Sequence, residues 1–254
     1  MNKIQVCENI TLITDEFGEF NTDIVCDLLK HIDIWLSNAL GYSHGICNLK
    51  SVKILRQYKD RNYPECIDTR AFRHIHLCPI SVKDDFYLCS WVYQFAHEYC
   101  HHLINGNMCA KLCGLKWFEE TICELSSIYC LHCMKQYCQR HRECCIKEYV
   151  NSIERYIKAL IEEEDKTTKS LYFYINKNLS LLSQPIYHRD KYKHIAFSIL
   201  DLFIECPALW RIILNFGNTC KWQELPELFK HLEENADTTY INSLNKLRIR
   251  LLGS

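Results

Sequence analysis

Glycine and proline are scarce, seven and five among 254 residues, which argues against a fold assembled from many tight turns and suits long helices, which need neither. A basic run is also missing. With 30 Lys and Arg against 31 Asp and Glu the net charge is −1, so no stripe exists to hold a phosphate backbone and nucleic acid is not an expected partner. Long apolar runs are absent too. The most apolar stretch, His194 to Phe216, is broken by Asp201, Glu205, Pro207 and Arg211, a pattern of core helices rather than of a membrane span, so no membrane partner is expected. No apolar segment behind a basic start offers a secretion signal. Cysteine, by contrast, is abundant. Seventeen is an odd number that cannot pair completely, and it predicts a cytoplasmic protein with free thiols or metal ligands. The 48% hydrophobic content allows a substantial core and excludes global disorder.

The pattern along the chain predicts a helix-dominated α+β protein. A small N-terminal α/β subdomain is expected over residues 1–164, and an all-α C-terminal half over 165–254 closes its cleft. Strands are expected at Ile10–Ile13, Asn48–Leu55 and Ala71–Leu77, the last alternating as AFRHIHL, and a helix at Thr22–Leu40. Asp84 and Asp85 offer an N-cap before a helix over Phe86–Ile104, in which Leu88, Val92, Phe95, Tyr99 and Leu103 recur at helical spacing before Asn105-Gly106 stops it. Another helix is expected from Trp117 to about Gln139, then Glu148–Glu164, with a polar loop at Glu164–Lys169. From Leu171 onward the pattern is helical, with breaks at Gln184-Pro185, Cys206-Pro207, Phe216-Gly217 and Asn235–Thr239.

Chemistry concentrates in His97-Glu98-Tyr99-Cys100-His101. Two imidazoles one helical turn apart suit one zinc ion, and the intervening glutamate suits a general base toward water activated by the metal. On a helical wheel the apolar residues gather on one side, while His97 and His101 fall within about 40° of each other nearly opposite. The next helix repeats this two-sided design. Phe118, Ile122, Leu125 and Tyr129 form its apolar face, and Glu120 and Glu124 sit one turn apart on the other. Two neutral imidazoles need a third protein ligand, for which Glu120 is the natural carboxylate; Glu124 is placed to accept a hydrogen bond from a ligating histidine's second nitrogen. Glu119 is expected to face elsewhere.

These residues resemble those of the gluzincin metallopeptidases, whose HExxH helix is followed by one carrying a glutamate ligand. Eighteen residues separate His101 from Glu120, and Trp117-Phe118-Glu119-Glu120 is similar to the Trp-x-x-Glu of aminopeptidase-type members. The resemblance spans roughly residues 70–135 and implies a minimal member of the group. It implies one catalytic zinc on His97, His101 and Glu120, Glu98 as general base, and a peptide or protein substrate. It also implies an edge strand before the active-site helix that aligns the substrate backbone, with Ala71–Leu77 in the right place. An oxyanion donor is expected some sixty to seventy residues beyond the glutamate ligand, where Tyr187 and His188 stand, with Tyr192 and His194 just beyond. No Gly-x-Met-Glu-Asn segment is present, so the likeness points to an endopeptidase rather than to an enzyme gripping a free amine.

Two other readings belong to different classes. One is a zinc-binding interaction module on a peptidase-like scaffold, for which Glu98 has no use. The other is a redox or metal sensor built on Cys130, Cys133, Cys138, Cys144 and Cys145 with His132 and His141; continuous helix there opposes it, because thiolate ligands converge best from loop knuckles. Cys100 reads as a buried packing residue. His102 is turned away from the ligand pair and reads as a surface or supporting group. Cys109 and Cys113 stand between the two zinc helices.

Overall fold

A computed structural model describes residues 2–41, 51–58, 60–68, 73–106, 115–140, 149–162, 170–184, 187–221 and 224–253. Short apolar runs at the N-terminal end form one five-stranded sheet from β1 (Lys3–Cys7), β2 (Ile10–Ile13), β3 (Val52–Arg56), β4 (Glu65–Asp68) and β5 (Arg73–Leu77). Its order is β1-β2-β3-β5-β4. The three central strands β2, β3 and β5 are parallel, and the outer strands β1 and β4 run antiparallel to their neighbours. Ile10, Leu12, Ile54 and Ile75 are completely buried, which fixes the register because a one-residue slip would turn them out of the core.

Between β2 and β3 runs α1 (Thr22–Leu40), begun by Asn21, whose side chain accepts from the Ile24 N–H, and closed by left-handed Gly41. Helix α2 (Tyr87–Gly106) follows β5. Asp84 forms the turn that leads into this helix, its Oδ1 accepting from the Phe86 N–H at 2.8 Å just before the first helical residue. Then come α3 (Lys116–Arg140), α4 (Val150–Glu162), α5 (Leu171–Leu182) and α6 (Arg189–Glu205), a 3-10 segment over Pro207–Lys221, α7 (Leu225–Glu234) and α8 (Ile241–Leu252). The architecture is helix-dominated α+β with a small mixed sheet.

Helix α3 departs from the expected amphipathic design. It packs against α1, α2, α4 and α6, and residues on all its sides from Trp117 to Leu131 are buried, Glu120 and Glu124 among them. A helix enclosed this way does not need a polar face. Its side toward α2 carries small residues, and the Ser126 and Ser127 hydroxyls donate to the α2 carbonyls of Ala96 and Tyr93 at 3.1 and 2.8 Å.

The expected edge strand also needs correction. Residues 73–77 lie inside the sheet between β3 and β4, so the edge nearest α2 is β4. Four residues with charges at both ends give too short an alternation to read. One hydrophobic cluster runs from Ile10 through α2, α3 and α6 to Leu251. The position 164/165, Pro185, Cys109, Cys113, His141, Cys144 and Cys145 lie outside the described residues. Among the described residues no helix is long and apolar enough to cross a membrane.

Candidate metal centre

Helices α2 and α3 pack side by side, and the donors of His97, His101 and Glu120 all lie within 4.8 Å of one another. Glu120 Oε2 stands 3.5 Å from His97 Nε2 and 3.4 Å from His101 Nε2. Tetrahedral zinc with bonds of about 2.0–2.1 Å separates its ligand atoms by about 3.3–3.4 Å. The three residues therefore fit that ion. They are nearly enclosed, since His97 is buried, Glu120 is at the margin of burial and His101 is mostly covered. Burial alone would raise the Glu120 carboxyl, but His101 and His97 outweigh it and hold the group well below the usual carboxylate range. Burial would likewise lower His101, yet Glu119 and Glu120 hold its proton well above the ordinary imidazole value.

The partner of His101 is the residue expected to face elsewhere. Glu119 Oε1 meets His101 Nδ1 at 2.8 Å, which directs Nε2 toward Glu120 and fixes the ring. Glu119 starts one step round the helix from Glu120, and two methylenes let its carboxylate reach back. For His97 the expected support is looser. Glu124 Oε1 lies 3.8 Å from His97 Nδ1, and among the described residues this buried nitrogen has no hydrogen-bond partner. Glu124 itself is fully buried and accepts from the Tyr93 hydroxyl, from the Tyr187 hydroxyl at 2.9 Å and from Arg189 Nε at 3.0 Å. The Arg189 guanidinium also lies 5.1 Å over the Tyr93 ring.

Beside the ligand pair, Glu98 is 5% exposed. Burial raises its carboxyl above the ordinary value, opposed by His97, His101 and a hydrogen bond from the Cys66 N–H. The last contact ties the glutamate to the β4 edge. Tyr187 precedes α6 and is half exposed, with its hydroxyl on Glu124; His188 is the N-cap of α6 and its buried Nε2 has no hydrogen-bond partner among the described residues. Tyr192 is buried in α6, and His194 stacks on Tyr174 with ring centroids 4.0 Å apart.

His102 is 1% exposed and stacks on Tyr99, so its surface alternative is corrected. Cys100 is buried against the Ile122 carbonyl, as a packing residue should be. In the Cys-rich turns of α3, Cys130 and Cys138 are buried and His132 pairs with Gln136 at 2.8 Å. Among the described residues only His97, His101 and Glu120 form a group able to hold a metal. Sequence reasoning missed Glu119, Tyr93, Arg189 and the Cys66 N–H. Tyr93 had a signal, one turn before His97 on the same helix; Arg189 had none, because its place depends on how α6 packs. No family model, curated protein or solved structure matches this chain.

Proposed function

We propose that this chain is a zinc-dependent hydrolase of peptide bonds, endopeptidase-like and of the gluzincin kind. The observation that carries this reading is Glu120 Oε2 at tetrahedral separation from both imidazole Nε2 atoms on two packed helices, with the carboxylate Glu98 beside them and outside the ligand set. Bound zinc supplies a Lewis acid that brings the pKa of water near neutrality. The protein's groups do the rest. Glu119 keeps the His101 ring oriented, and Glu98 takes a proton from the attacking water and returns it to the leaving nitrogen. The Cys66 N–H holds that carboxylate in place.

An extended peptide is accommodated along β4 by strand addition. Tyr187 is the favoured oxyanion donor, and His188 is the neighbouring alternative. The Tyr187 hydroxyl can leave Glu124 without stranding it, because Tyr93 and Arg189 still donate to that carboxylate. A purely structural zinc site has no use for Glu98, which favours hydrolysis over a non-catalytic module. The abundance of cysteine, seventeen in the chain, accords with a reducing compartment such as the cytoplasm.

The test is E98Q, assayed on an unfolded protein substrate such as casein alongside zinc content. Hydrolysis should fall by about 10²-fold or more with zinc retained. Undiminished hydrolysis by the variant contradicts the assignment of the base.

A further inference from the structure

A cavity opens at the carboxyl ends of the three parallel strands. It has a volume of about 410 Å³ and is bordered by the loop after β2, by Arg56 at the end of β3, by the loop after β5 and by Tyr87 and Trp91 of α2. Small-molecule sites in open sheets favour this end of parallel strands, and the volume lies in the range of ligand pockets. It is separate from the metal centre. Trp91 precedes Glu98 by seven residues, about 10 Å along the helix.

Aromatic rings form the walls. Phe17 and Phe20 lie with ring centroids 4.8 and 5.4 Å from that of Trp91. Two cations, Arg56 and Lys83, border the cavity against one carboxylate, Glu19, and among the described residues no ion pair engages any of the three. The half-buried Arg56 guanidinium sits 5.9 Å over the Phe17 ring and spends one N–H on the Pro79 carbonyl at 3.2 Å. Among the described residues its other donors make no hydrogen bond. A guanidinium is planar and presents paired N–H groups, the geometry that takes a carboxylate in two parallel hydrogen bonds.

We infer that this cavity is a binding site for a small planar aromatic carboxylate, whose ring lies among Phe17, Phe20 and Trp91 and whose anionic group meets Arg56 and Lys83. The site is independent of zinc and of hydrolysis. Lys83 is exposed, so its replacement leaves the packing alone and serves beside the Arg56 variant.

Calorimetric titration of the full chain with indole-3-carboxylate, and with indole-3-carboxamide as the uncharged control, tests the inference. The carboxylate should bind saturably at one site per chain and the amide about tenfold or more weaker. R56Q and K83Q should each weaken the carboxylate, with R56K retaining more than R56Q, while H97A leaves binding unchanged. Absence of saturable binding at millimolar concentrations overturns the inference. So does equal binding of the amide, or unchanged affinity in both R56Q and K83Q. Loss of binding in H97A would place the carboxylate on the metal centre and overturn it equally.

Discussion

A proposed ligand residue is only as good as the group behind it. His101 is fixed by Glu119 on its far nitrogen at 2.8 Å, whereas the far nitrogen of His97 has no hydrogen-bond partner among the described residues. Support of this kind is commonly worth about 10–100-fold in metal affinity. E119A is therefore predicted to weaken zinc binding by about that factor, and E120A, which removes a proposed ligand outright, by considerably more. Competition against a chromophoric chelator measures both; an E119A protein with wild-type affinity contradicts the role given to Glu119. The ligand candidates were legible because His97, Glu98 and His101 stand at fixed spacing on one helix and Glu120 at a recognisable distance on the next. Glu119 was misjudged because a helical wheel gives the direction of Cβ and not the reach of the side chain beyond it.

Among the elements, the seam between α2 and α3 sets the distance between the histidines and Glu120. Small side chains make that seam close. Ser126 and Ser127 are fully buried and bond directly to α2 carbonyls. Leucine at 126 would overpack the seam, and S126L is predicted to cost about 1–3 kcal/mol of stability and to weaken zinc binding with it. Denaturant unfolding and zinc titration read the two effects; stability and affinity both unchanged would mean that the seam does not position the donors. The helices were legible from their 3.6-residue period, with α1 coinciding with its expected limits and α2 shifted by one or two residues. The edge of the sheet was not, since strand order is a property of pairing between separated segments, and β3 passes over β4 to pair with β5.

At the scale of the whole molecule, a single core binds the C-terminal helices to the site-bearing half. Helix α6 lies against α3, and the residues at its start bring Tyr187 and Arg189 onto Glu124. Tyr187 was expected near the site through the resemblance alone, and Arg189 could not be read from spacing, because only packing brings segments some sixty residues apart together. Further out, Asp201 of α6 and Arg250 of α8 form a two-pronged pair, with Nη2 to Oδ2 at 2.9 Å. Arg250 holds the Asp201 carboxyl below its usual value. A lowered folded value means the stabilisation is present above the unfolded carboxyl value of about 3.9 and is lost as pH falls through the folded one. D201N is predicted to remove this acid-side increment and its salt sensitivity, a small effect because both side chains are partly exposed. Thermal unfolding of the two proteins between neutral and acid pH compares them, and identical slopes would assign the pair no role.

His97, His101 and Glu120 are proposed to hold one zinc ion together. Elemental analysis of anaerobically purified protein, beside H101A prepared in the same way, decides this. One zinc per chain is expected in the wild type and its loss in H101A; metal that persists in the variant, or a wild-type protein that takes up no zinc, would rule the site out.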